Sequence, residues 1–123
     1  MRKKENPLAL VIEDDPAQQE IFTKAVEMAG FSVETIGDGK KALQRLSEVI
    51  PALVILDLHL PNASGDEILH QIRADNSLAS VSVILATADS HLADSLSAES
   101  DLVLLKPISF IQLRDLATRL RSL

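Results

Sequence analysis

Apolar residues along the chain fall into five short runs, each followed by a stretch with helical spacing. Leu8–Glu13, Ser32–Ile36, Ala52–Asp57, Ser82–Thr87 and Leu102–Leu105 read as strands. Three of them are continuous rather than alternating: Leu8 to Ile12, Ala52 to Leu56 and Val83 to Ala86. Side chains leave a strand on alternate faces, so an unbroken apolar run predicts a strand covered on both, as in a parallel sheet between helix layers.

The segments between them carry helix signals. Asp15 is placed to cap a first helix, with Pro16 at its first position and Gln18 set for a capping box. Ile21, Phe22, Ala25, Val26 and Ala29 form its apolar stripe, and Gly30 closes it. After Gly37-Asp38-Gly39, a second helix offers Ala42, Leu43, Leu46, Val49 and Ile50 before Pro51. Ser64 with Glu67, and Ser109 with Gln112, predict capping boxes for a third and a last helix. Ile68, Leu69 and Ile72 face inward on the one, and Leu113, Leu116, Ala117 and Leu120 on the other. The fourth, between Asp89 and Ser100, is the weakest, with Leu92, Ala93 and Leu96 inward. Strands alternating with helices predict a doubly wound α/β domain.

At 123 residues the chain suits one domain, and its 46% hydrophobic content excludes intrinsic disorder. There is no cysteine, which removes disulfides, thiolate metal sites and thiol nucleophiles. The formal charge of −6 argues against nucleic-acid binding through the surface at large, and three Phe with no Tyr or Trp leave little to stack on bases. Met1-Arg2-Lys3-Lys4-Glu5 looks like the basic start of a signal peptide, but the apolar run behind it soon meets Glu13-Asp14-Asp15. The expectation is a cytoplasmic protein without membrane contact, a tail at 1–6 and one domain at 7–123. Met1 favours a natural start.

In a doubly wound sheet the ligand site lies at the carboxyl ends of the strands. There the first strand offers Glu13-Asp14-Asp15, the third Asp57, the fourth Thr87, and the fifth runs into Lys106-Pro107. Carboxylates gathered without a counter-charge repel, and a hard divalent cation such as Mg²⁺ with its preference for oxygen resolves this. Glu13, Asp14 and Asp57 carry −3, which Mg²⁺ and Lys106 would balance. Such a site could accept a phosphoryl group on a carboxylate. Singly, Asp57 could be a loop-capping acid, Lys106 an exposed charge and Thr87 an ordinary strand end. Asp15 reads as a helix cap rather than a metal ligand.

Together these fragments resemble the response-regulator receiver domain of two-component signalling. The resemblance runs from Leu8 to Leu120. It rests on Glu13-Asp14 after Val11-Ile12, Asp57 in Leu56-Asp57-Leu58-His59-Leu60-Pro61 with Gly65 following, Thr87-Ala88, and Lys106-Pro107. It implies a flavodoxin-like five-stranded parallel sheet of order 2-1-3-4-5 with five helices. It implies Asp57 as phosphoacceptor, and Mg²⁺ held by Asp14, Asp57, Glu13 and the backbone carbonyl of His59. Thr87 and Lys106 would contact the phosphoryl oxygens, Ala88 would leave them room, and Pro107 would follow a cis bond. The partners implied are a sensor histidine kinase or phosphotransfer protein, docking near the first helix, and a downstream protein target. The domain would catalyse at most its own phosphorylation and dephosphorylation.

His59 and Asp89 stand two residues beyond Asp57 and Thr87, where relatives tune phosphoryl lifetime; two exposed loop residues are the plainer reading. His70 and His91 read as solvated. Val103 departs from the family, which places Tyr or Phe there as a switch. Ile108 replaces a frequent Phe, and the glycine often found before the fifth strand is missing from Ala98 to Asp101. Acids at Asp89, Asp94, Glu99 and Asp101 facing Arg114, Arg119 and Arg121 suggest a homodimer through the fourth and fifth helices, with ordinary solvated faces as the alternative. A phosphohydrolase would place a second Asp where His59 stands, and an FMN protein would offer hydroxyls and glycines where Glu13-Asp14-Asp15-Pro16 lies. The competing reading is a receiver-like module that binds protein without productive phosphorylation.

Overall fold

The computed structural model describes residues 6–122, so all of the expected tail except Asn6 lies outside the described residues. Five strands and five helices alternate: β1 (Leu8–Ile12), α1 (Pro16–Met28), β2 (Ser32–Ile36), α2 (Gly39–Leu46), β3 (Leu53–Asp57), α3 (Gly65–Ala74), β4 (Ser82–Thr87), α4 (Ser90–Leu96), β5 (Leu102–Leu105) and α5 (Phe110–Arg121). Short 3₁₀ turns follow α3 at Asn76–Leu78 and α4 at Ser97–Glu99. The strands form one sheet in the order 2-1-3-4-5, and every pairing is parallel. Among the described residues no helix is long and apolar enough to cross a membrane.

The period of two along the strands divides the core into two layers. Leu10, Ile12, Val54, Leu56, Val83 and Leu85 pack with Ala42 and Leu46 of α2, Ile68, Leu69 and Ile72 of α3, and Leu96 of α4. Ala9, Val11, Leu53, Ile55, Ile84, Ala86 and Leu104 pack with Phe22, Ala25 and Val26 of α1 and Leu113 and Ala117 of α5. The continuous apolar runs therefore mean what a two-sided sheet requires of them. Residues Val83 to Ala86 are fully buried, and β2, at the sheet edge, is only half covered.

Several local expectations differ from the structure. Helix α2 ends at Leu46, capped by Ser47, so Val49 and Ile50 lie beyond it and Ile50 is exposed. The last turn tightens there, the Ser47 and Glu48 amides donating to the Gln44 and Arg45 carbonyls three residues back. Ser64 caps α3 by position alone, without a side-chain hydrogen bond. The other two boxes are half made: Asp15 accepts from the Gln18 amide at 2.9 Å and Ser109 from the Gln112 amide at 3.0 Å. The Asp15 amide turns instead to Glu13 Oε2, at 3.1 Å. Ile21, placed inward by the pattern, is 42% exposed.

Two glycines make room where helices start against loops. A Cβ on Gly39 would overlap the Ala63 carbonyl, and one on Gly65 would collide with the Asp57 carbonyl oxygen and Leu58 Cα. Because Gly65 sits against the residue that ends β3, its lack of a side chain sets how closely α3 begins beside Asp57. Gly65→Ala is expected to destabilise the fold by about 1–3 kcal/mol through overpacking against backbone. Thermal unfolding followed by far-ultraviolet circular dichroism should show a midpoint lower by roughly 5–15 °C. An unchanged midpoint would mean that the loop yields freely.

Candidate functional site

Parallel register carries the polar ends of four strands to one edge. Ile12 pairs with Leu56, which puts Glu13 level with Asp57 on the neighbouring strand. Asp57 pairs with Ala86, so Thr87 stands one step further out, and the Lys106 amide donates to the Thr87 carbonyl at 2.8 Å. Glu13, Asp57 and Lys106 continue the alternation that directs Val11, Ile55 and Leu104 toward the α1 and α5 layer. Thr87 continues the opposite alternation. Residues 93 positions apart in sequence thus become neighbours without a long loop.

Lys106 holds the cluster together. Its Nζ lies 2.7 Å from Glu13 Oε1 and 3.3 Å from Asp57 Oδ1. Glu13 and Asp57 are buried, whereas Asp14 is exposed and leaves the cluster open on one side. Burial pushes the Glu13 carboxyl above the usual range, and the nearby Asp57 charge adds to this; the Lys106 and Asp15 hydrogen bonds oppose it without cancelling it. Burial works against the Lys106 ammonium, but the Glu13 hydrogen bond and the two carboxylate charges outweigh it, so its pKa is raised.

The rim is ordered as well. Gln19 of α1 donates to the Glu13 carbonyl at 2.6 Å, which fixes the turn after β1. Thr87 is fully buried, and its Oγ1 accepts from the Asp89 amide at 3.0 Å, leaving the hydroxyl proton free to donate elsewhere. Asp89 caps α4 through the Leu92 amide, and its other carboxylate oxygen is 3.8 Å from His59 Nε2. His59 and Asp89, isolated in sequence, therefore face each other across the site. Ala88, Lys106 and Pro107 line a groove with Gln18, Ile21, Phe22 and Ile108, and the Lys106–Pro107 bond is cis.

The donor set suits a hard cation. Carboxylate oxygens of Glu13, Asp14 and Asp57 lie within 4.8 Å of one another, the one such group of potential ligands among the described residues. Oxygen donors from carboxylates are what Mg²⁺ takes, with its remaining positions filled by water or phosphate oxygens. His70 is not simply solvated: its Nε2 is 3.1 Å from Glu99 Oε1.

Fold and site together define a doubly wound α/β module with an acidic, lysine-bridged pocket at the carboxyl edge of its sheet. The family model described as the response regulator receiver domain matches residues 9–118, and the chain belongs to that family, whose members are signalling modules rather than classical enzymes. It is 34% identical over 116 residues to the DNA-binding response regulator MtrA of Mycolicibacterium smegmatis, covering 92% of this chain and 48% of MtrA. The chain thus spans about half the length of that curated relative. A CheY-like receiver domain from Methylobacillus flagellatus superposes with a TM-score of 0.82 at 27% identity, covering 94% of this chain and 99% of that one. The receiver domain of a sensor histidine kinase from Pseudomonas aeruginosa PAO1, solved with magnesium in its active site cleft, gives 0.84 at 24% identity, over 96% and 99%.

Removing the ammonium tests this electrostatic arrangement. A carboxyl whose pKa is raised on folding contributes stability below its unfolded value and loses it as pH rises through the folded one. Lys106→Met raises the Glu13 pKa further, so the deficit of the variant should grow from pH 5 to pH 7.5. About 2 kcal/mol is expected at pH 7.5, below the buried-pair range because Asp14 admits water. Urea denaturation at both pH values in a chelator measures it; an equal deficit at both would contradict the argument.

Proposed function

We propose that this chain is the phosphoacceptor domain of a two-component phosphorelay, taking a phosphoryl group from a histidine kinase or phosphotransfer protein onto Asp57. Residues 7–123 form the receiver unit, acting in the cytoplasm. The observation that carries the reading is Lys106 Nζ bridging Asp57 and Glu13 at a pocket whose third acid, Asp14, is open to solvent.

A carboxylate oxygen of Asp57 attacks phosphorus, the bond to the donor's imidazole nitrogen breaks, and the histidine leaves with that electron pair. The product is an acyl phosphate on Asp57. Lys106 already contacts Asp57 and needs little reorganisation to pair with phosphoryl oxygens. Thr87 offers its free hydroxyl proton to another of them, and Ala88 takes up little room. Asp14, Asp57, Glu13 and the His59 backbone carbonyl would hold Mg²⁺. Bound there, the cation offsets negative charge on the transferring group. No second acid stands two residues after Asp57 to activate water, which favours a persistent phosphoryl group over turnover.

The facing of His59 and Asp89 supports a role in phosphoryl lifetime, by obstructing or steering water. His59→Ala and Asp89→Ala are each expected to change the dephosphorylation rate by about 2- to 10-fold, a barrier change of roughly 0.4–1.4 kcal/mol. Equal decay of all three phosphoproteins would remove that role. Charge complementarity for a homodimer is weaker than the sequence suggests. Glu99 and Asp101 are engaged within the chain by His70 and Arg73, and Arg114 pairs with its neighbour Asp115. We assign no nucleic-acid contact to this domain.

Intact mass after incubation with a small-molecule phosphodonor, with and without Mg²⁺, tests the proposal. A Mg²⁺-dependent phosphoryl adduct is expected on the wild type and not on Asp57→Asn. No adduct on folded, Mg²⁺-bound wild type would favour the module that binds protein without productive phosphorylation, which Val103 supports.

A further inference from the structure

The loop between β3 and α3 carries the His59 carbonyl, and its far end is fastened to a different part of the fold. At its base the Gly65 amide donates to the Leu58 carbonyl at 3.0 Å. At its tip Asn62 holds a left-handed backbone, φ 70°, and donates from Nδ2 to Asp38 Oδ2. Asp38 uses its other oxygen, Oδ1, to cap α2 through the Lys41 amide at 3.0 Å. The Gly39 amide donates to the Pro61 carbonyl at 2.9 Å, and a Cβ on Gly39 would overlap Ala63. One carboxylate thus ties the start of α2 to the tip of the β3–α3 loop.

We infer that Asp38 and Asn62 are positioning residues that set the β3–α3 loop for metal binding through the His59 carbonyl. The inference deepens the Mg²⁺ reading above and rests on it. Neither residue belongs to the acidic cluster, so neither offers the cation a ligand. Their effect runs through backbone: a loop closed at Leu58 and held at Asn62 has few ways left to orient the carbonyl between them. Near-octahedral Mg²⁺ tolerates little misplacement of a ligand, so freedom gained at the tip is read as lost affinity.

Three variants separate the clasp from folding and from charge. Asn62→Gly keeps the left-handed backbone and removes the clasp. Asn62→Asp sets carboxylate against carboxylate. Asp38→Asn combined with Asn62→Asp reverses the hydrogen bond, keeps a capping side chain on α2 and restores the wild-type net charge. Calorimetric titration with Mg²⁺ alone should show binding weakened about tenfold in Asn62→Gly and in Asn62→Asp, and recovered to within about twofold in the swapped pair. Thermal midpoints measured alongside should not track that order. Wild-type affinity in Asn62→Gly, or a swapped pair as weak as Asn62→Asp, would overturn the inference while leaving the metal reading intact. A wild type that gives no Mg²⁺ binding would overturn both.

Discussion

One ammonium held against two buried carboxylates is the interaction on which the site depends. Glu13 and Asp57 end adjacent parallel strands, and the register that pairs Ile12 with Leu56 leaves them no means of avoiding each other. Lys106, at the end of a strand two places further across the sheet, reaches back to both. The contact offsets part of the like-charge cost, yet Glu13 remains harder to ionise than an ordinary glutamate because burial is the larger effect. One ammonium thus faces two buried carboxylates, with Asp14 a third acid at the open side.

Much of this was legible in the sequence because the fold writes strongly on a parallel sheet. Unbroken runs such as Ala52 to Leu56 admit few readings once helical spacing follows each of them. The gathering of Glu13, Asp57 and Lys106 at one edge was legible for the same reason: each closes a strand, and strand ends converge in a doubly wound topology. Helix boundaries were harder. The apolar pattern through Val49 and Ile50 continues past the point where α2 stops, since spacing alone does not register the tightened turn at Ser47 and Glu48. Ser64 has the right neighbours for a capping box and still makes no side-chain cap.

What the sequence concealed is mostly long-range polar pairing. Nothing in the spacing of Asp38 and Asn62, 24 positions apart, indicates that they meet. Only the tertiary fold shows that Asp38 has a second oxygen to spare and that Asn62 uses it. The acids after α4 are a similar case. Counted along the chain they make a negative patch, but Arg73 of α3 donates to the Glu99 carbonyl at 2.6 Å, the Val81 carbonyl at 3.0 Å and Asp101 at 3.1 Å. Asp101 in turn accepts from the Val83 amide at 2.7 Å, so this exposed acid is engaged within the fold through the same oxygen that meets Arg73.

That pairing bears on how the domain can respond to its own site. Val103 is half-buried against the core and pairs in register with Leu85 of β4. A β-branched side chain there is stiff and has no ring to swing between inward and outward positions. The direct polar connection from the site toward α4 runs instead through Thr87, whose hydroxyl accepts the amide of Asp89, the residue that caps α4. Helix α4 has only seven residues, and the 3₁₀ turn behind it is held by His70 and Arg73 of α3. The helix is therefore tied at both ends, to Thr87 through its cap residue and to α3 through the turn behind it. The polar link between the site and the first residues of α4 is thus the Thr87 hydroxyl with the Asp89 amide, while β5 offers a valine and no aromatic ring at the matching position.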